Sequence, residues 1–227
     1  MKPKSSKKVI TRRDFLKTGG YAAAGSMLGL PLLDRAAAQA AVKSRVVLIR
    51  NPDVVDSQGR VNEAVLELMF DQAVTTLLGA PNSRSAWQQL FRPDDVVGIK
   101  SNVWYRLPTP EALEKALVFR LQQVGVNANN IAVDDRGVRG NPVFMRSTAL
   151  INVRPMRTHH WSGLGTLLKN YIMFVPAPWM YHGNSCERLG AIWQKSHVVG
   201  KTRLNILVML TPLFHGIGPH HHSSRYV

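Results

Sequence analysis

Three short polar segments carry side chains suited to anion and proton chemistry: Lys100-Ser101-Asn102, Asp134-Asp135-Arg136 and Arg157-Thr158-His159-His160. The third runs on into Trp161-Ser162-Gly163-Leu164-Gly165-Thr166-Leu167-Leu168-Lys169-Asn170. There Gly163 and Gly165 permit close backbone approach, Thr166 can cap a helix that starts at Leu167, and Lys169 falls within its first turn. Free N–H groups at a helix N-terminus, beside flexible glycines and a cation, form a ready anion site. The spacing G-x-x-x-x-G-K is missing, so this is not a Walker A loop. His159 or His160 would stand over the site as proton carrier or metal ligand. The expected ligand-binding set is Lys100, Asn102, Gly163, Gly165, Thr166 and Asn170, with His159 and Lys169 as candidate catalytic residues. Two nearby lysines would depress the pKa of His159 and keep it neutral, able to accept a proton near pH 7. A small anionic ligand is the partner this chemistry implies.

The other histidines cluster late in the chain. His182 lies in Trp179-Met180-Tyr181-His182-Gly183, and His215 and His220-His221-His222 flank Gly216-Ile217-Gly218-Pro219. Neutral imidazoles could bind zinc, copper or nickel, but no H-E-x-x-H and no helical H-x-x-x-H accompanies them. Their alternative role is that of polar loop residues. Cys186 is the single cysteine. It cannot close an intramolecular disulfide or hold an iron–sulfur cluster within one chain, and it lacks a nucleophile signature.

Those segments need elements to position them. Residues 45–50 (Arg-Val-Val-Leu-Ile-Arg) read as a buried strand. Val61, Val65, Leu68, Met69, Val74, Leu77 and Leu78 form a helical stripe ended by Gly79, and a short helix over 85–91 stops before Pro93. A strand over 96–100 follows, then a loop, then a helix with Thr109 as N-cap and Pro110 at its first position. That helix turns Leu113, Ala116, Leu117, Leu121 and Val124 inward and ends at Gly125. Residues 131–133, 149–153 and 204–209 read as three more strands, with Pro155 turning the chain after the middle one. Alternating strands and helices predict an α/β fold with a mainly parallel, Rossmann-like sheet and right-handed crossovers. Ligands in such sheets sit beyond the carboxyl ends of the strands, where all three polar segments fall.

Composition sets the outer limits. In 227 residues, 45% are hydrophobic and 19% charged, which excludes a disordered chain. No run of about 20 apolar residues occurs, so no stable membrane span is expected. The formal net charge is +15, unevenly spread. Residues 41–135 hold 10 basic and 11 acidic side chains, whereas residues 136–227 hold 11 basic ones against Glu187 alone. All eight histidines follow residue 158. The second half is therefore either an anion-binding surface or a basic face for solvent or an acidic partner. No RNP, helix-turn-helix or finger pattern appears, so nucleic acid is not an expected partner.

Residues 1–40 read as an address. Seven basic residues against Asp14 alone occupy the first 17 positions, and a weakly apolar stretch then ends in Ala36-Ala37-Ala38-Gln39-Ala40-Ala41. Thr11-Arg12-Arg13-Asp14-Phe15-Leu16-Lys17 resembles the twin-arginine export signal. The resemblance implies recognition by the twin-arginine export machinery, cleavage after Ala40 (Ala38 being the alternative) and a periplasmic or otherwise exported domain over 41–227.

Lys100-Ser101-Asn102 after a strand, then Thr158-His159, Gly163, Thr166 and Lys169-Asn170, resemble the family called domain of unknown function 362. The similarity spans residues 93–222. Ser101 stands where proline is usual, Arg157 where lysine is usual, and Met209 where an aspartate tends to follow the Leu-Asn-Ile strand. Members of that family continue past the point where this chain stops. The expectation is thus a sheet incomplete at its C-terminal edge, or a truncated and inactive relative. His159, Gly163 and Lys169 also keep the offsets of a histidine, glycine and lysine in the nickel-pincer lactate racemases. That likeness implies proton transfer by His159 and cofactor contact by Lys169. The expected function is an exported anion- or cofactor-binding protein, an enzyme or else a non-catalytic accessory protein.

Overall fold

The computed structural model describes residues 44–213. The expected export signal and cleavage site, together with His215 and His220–His222, lie outside the described residues. Helix α1 (Glu63–Leu78) opens where the Asn62 side chain accepts a hydrogen bond from Val65 N, and closes at Gly79 in the left-handed conformation, φ 63°. Helix α2 (Ser83–Leu90) is capped in the same way by Asn82. Helical spacing turns Leu66, Met69, Phe70 and Val74 inward from α1, and Trp87 of α2 stacks on Phe91.

Five strands form one sheet: β1 (Val97–Lys100), β2 (Ile131–Asp134), β3 (Ala149–His159), β4 (Gly163–Gly165) and β5 (Thr202–Leu213). β1, β2, β3 and β5 are mutually parallel in the order β2-β1-β3-β5, and β4 runs antiparallel to the end of β3. The fold is mixed α/β with a mostly parallel sheet. Among the described residues β5 pairs with β3 alone.

Strand alternation divides the sheet into two faces. Val97, Ile99, Ala149, Ile151 and Val153 join one core with α1, α2 and helix α3 (Glu111–Gln123), whose Leu113, Ala116, Leu117 and Leu121 are buried. Truncating one such leucine to alanine costs about 2–5 kcal/mol. The other face carries Leu150 against Phe144, Tyr171, Phe174, Leu189 and Ile192. Gly98 belongs to this face: a Cβ there would stand 2.8 Å from the Phe144 ring, so glycine lets short helix α4 (Pro142–Met145) lie on the sheet.

Four expectations need correction. Residues 45–50 pair with no strand, and Val46 and Leu48 are exposed. Thr109 does not cap α3; Pro110 holds that position, while Thr109 Oγ1 accepts from Asn102 N at 3.2 Å. The strand expected to end at Val153 runs on through Pro155 to His159, and the strand expected over 204–209 is twelve residues long. Pro155 has no N–H to give the ladder, and the β3–β5 register shifts just beyond it, so proline is accommodated by an irregularity and does not end the strand. Among the described residues no helix is long and apolar enough to cross a membrane.

Candidate functional site

Parallel register sets a polar row across the sheet. Asp134 of β2 stands beside Lys100 of β1, Lys100 beside Asn152 of β3, and Asn152 beside Asn205 of β5. Period-two alternation places Arg154 on the same face, one step nearer the carboxyl end than Asn152. The short helix α5 (Leu167–Asn170) closes over this row. Asn170 Nδ2 donates to Lys100 O and Asn152 Oδ1, each at 2.9 Å, and to Val153 O at 3.1 Å. Asn152 Nδ2 in turn donates to Leu167 O at 3.1 Å and Asn205 Oδ1 at 2.9 Å.

Lys100 is fully buried, and its ammonium donates to Ser101 O at 2.7 Å, to the Asp135 carboxylate and to Asn170 Oδ1 at 3.4 Å. Burial pulls its pKa down to about 8 despite the opposing pull of Asp135. The second Asp135 oxygen accepts from Val103 N at 2.9 Å, which anchors the loop after β1. Lys100 is therefore a structural cation with a full set of partners. Asn102 is turned to its own loop: its backbone bonds Thr109, and its Oδ1 accepts from Trp104 N at 3.4 Å.

Arg154 is the opposite case. It is 2% exposed, and its Nε and Nη2 have no hydrogen-bond partner among the described residues. Arg157 Nε and Thr158 Oγ1 are buried and unpartnered as well. The Arg157 guanidinium lies 3.9 Å over the Trp104 ring. Burial pulls Arg154 down to about 9 and Arg157 down to about 10, and their mutual repulsion adds to the fall at Arg154. Native interiors rarely leave such donors unpaired. Gly165 in β4 sits between the two: an added Cβ would meet Arg154 Nη2 and His159 Cβ at 3.4 Å and Arg157 Cγ at 3.7 Å.

Lys169 and the imidazoles border this group. Lys169 Nζ stands 2.7 Å from His182 Nε2, and the His159 and His182 rings stack with centroids 5.6 Å apart. His159 Nδ1 lies 2.8 Å from Ser162 Oγ in the turn that Gly163 makes at φ 71°. Burial, then the charges of Lys169, Arg154 and Arg157, pushes His159 down to about 3; burial pulls Lys169 down to about 8. His182 is lowered too, by burial and then by Lys169. His160 remains outside, edge-on to Trp161.

The expected residues thus fall into two groups. The Lys100 ammonium joins Asn170 to Asp135, whereas His159 and Lys169 meet at His182. The charge of Arg154 bears on both groups, lowering Lys100, His159 and Lys169 alike. The anticipated helix N-terminus does not supply the anion site. Thr166 occupies the cap position without a side-chain bond, and α5 is only four residues long, too short for an aligned dipole. Arg154 and Asn152 were missed as site residues, and His182 was read only as a metal-binding or polar loop histidine. A charged residue two places beyond Asn152, at the end of the apolar run that opens β3, was the available signal for Arg154. Cys186 is buried, its thiol 3.9 Å from His182 O. It ends three consecutive non-glycine residues at positive φ, Asn184, Ser185 and Cys186 (47°, 55° and 64°), an arrangement concentrated at functional sites. Among the described residues no group of three His, Cys, Asp or Glu side chains could hold a metal ion.

No protein-family model, curated protein or solved structure matches this chain.

Proposed function

We propose that this is an exported protein of Rossmann-like α/β type, related to the domain of unknown function 362 family, that binds a small anion at the carboxyl end of β3. One observation carries the reading: the Arg154 guanidinium is buried with Nε and Nη2 unpartnered among the described residues. A buried cation without an anion is costly, and a bound oxyanion supplies what it lacks. Within the same molecule Arg120 shows the complement, since its Nε and Nη2 clasp the two Asp71 oxygens at 2.9 and 2.8 Å. Arg157 and Lys169 add charge, and Gly165 leaves space beside the fork. His159, neutral near pH 7, is the proton acceptor of the catalytic version of this reading.

Titration of the purified protein with acetate, oxalate, sulfate and phosphate at low ionic strength tests it. At least one anion should bind, and Arg154→Met should weaken that binding by roughly 10- to 150-fold, the loss of one charge-assisted contact. If the whole panel fails to bind, the reading is wrong. The export half has its own test. An Arg12→Lys, Arg13→Lys variant should accumulate uncleaved in the cytoplasm, and normal processing of that variant would remove the signal assignment.

A further inference from the structure

We infer that the group seated at Arg154 is a dianionic tetrahedral oxyanion, a phosphate or the phosphate of a small monoester, and not a monocarboxylate. This rests on the anion-site reading above. Charge is the first argument. Arg154, Arg157 and Lys169 crowd one region, and Asp135 is the carboxylate whose field reaches both arginines. Asp135 is already committed to Lys100 and to Val103 N. Asp134 lies further along the row, held by Gly137 N and Asn141 Nδ2, and Glu114 is bonded to Ser101 Oγ. Three cations are therefore left for the ligand to balance. A monocarboxylate leaves two of them uncompensated in a buried setting; a dianion leaves one.

Donor geometry is the second argument. The unpartnered groups on this face are both N–H positions along one edge of Arg154 and Nε of Arg157; the Thr158 hydroxyl, one residue further along β3, points to the other face. Arg120 shows that a single guanidinium edge already engages both oxygens of a carboxylate. A planar two-oxygen group clasped by Arg154 has no further oxygen for Arg157. A tetrahedral group has one or two more, directed away from the plane of the fork. Arg154 Nη2 and Arg157 Cγ lie 3.4 and 3.7 Å from the same point beside Gly165, so the two side chains border the same space.

The test uses inorganic phosphate, phenyl phosphate and sulfate against acetate and benzoate, by calorimetric titration of the full chain at low salt. The dianions should bind at least 10-fold more tightly than the monoanions. Phenyl phosphate should gain affinity between pH 5 and 7, as its second proton leaves near pH 6, while sulfate stays level over that interval. Both should weaken above about pH 8 as Lys169, faced by Arg154, Arg157, His182 and Cys186, gives up its proton. Arg154→Lys keeps a charge but loses the fork, and should cost the dianions roughly 10- to 150-fold. Tighter binding of phenyl phosphate than of inorganic phosphate assigns the monoester, and the reverse order assigns the free ion. Monoanions that bind as tightly as dianions, or phenyl phosphate affinity equal at pH 5 and 7, would overturn the dianion and leave the anion site standing. Binding unchanged in both Arg154→Lys and Arg154→Met would remove both.

Discussion

Lys169 Nζ and His182 Nε2 stand 2.7 Å apart, although thirteen positions separate them in the chain. An ammonium has donors only, so His182 accepts at Nε2 and carries its own proton at Nδ1. The contact also suppresses protonation of His182, because a second positive charge would face the first. Replacing Lys169 with methionine should therefore raise the His182 midpoint toward the ordinary histidine value. Titration of the ring resonances by NMR reads this directly. An unmoved midpoint would show that the two side chains are not coupled in solution.

Arg154 sets binding against stability. Leaving a buried donor group unpaired costs about 1–3 kcal/mol. Arg154→Met removes that cost and keeps most of the side-chain volume. The ligand-free variant should melt higher than the parent by roughly 2–12 °C, at ~2–4 °C per kcal/mol for a chain of this size. It should also lose the stabilisation that added anion gives the parent. Thermal unfolding with and without phosphate separates the two effects. A lower melting temperature in the ligand-free variant would mean that the guanidinium holds the fold together and has no ligand to wait for.

The sequence announces the parts of this molecule whose order is local. Apolar spacing marks α1 to within two residues, Gly79 marks its end, and Leu113 through Leu121 mark the buried face of α3. The strands at 97–100 and 131–134 are short apolar runs, each running out into polar residues, and they too can be read directly. What cannot be read is register. Lys100 meets Asp135, and not solvent, because β1 and β2 are neighbours in a parallel sheet, a relationship between residues 35 positions apart. Pro155 reads as a turn because its local effect is to break a ladder; only the irregular β3–β5 pairing shows how the ladder survives it. Residues 171–194 fold as short 3-10 turns and a kinked segment with no sustained period, so no pattern pointed to the placement of His182.

The Lys100–Asp135 pair should be a point of high sensitivity. Lys100 is fully buried and Asp135 nearly so. Asp135→Asn keeps the shape and strands the ammonium, a change that costs about 3–5 kcal/mol when one member of a buried pair is lost. Adding Lys100→Met to that variant removes the stranded charge, and should restore a large part of the stability measured by urea unfolding. A double variant no more stable than Asp135→Asn alone would assign the loss to the Val103 anchor.

His159 should make the protein sensitive to mild acid. Its folded pKa is pushed down to about 3, against 6.5 for an ordinary histidine, by burial and by the charges of Lys169, His182, Arg154 and Arg157. Between those two values the unfolded chain takes up a proton that the folded chain refuses. The unfolded state then binds more protons, so stability rises with pH across this window and is lost as pH falls from about 6.5 toward 3. His182, also lowered, acts in the same direction. Asp95, held below the usual carboxylate range by its bonds to Arg203, Arg92 N and Thr148 against the opposing effect of burial, extends the loss at the acid end. Glu114 is raised by burial and works the other way, which blunts the fall at pH values just above its ordinary 4.5. His159→Gln deletes the largest of these histidine contributions. Its urea midpoint should change less between pH 7 and pH 5 than that of the parent, and parallel pH profiles for the two proteins would show that His159 titrates freely in the folded state.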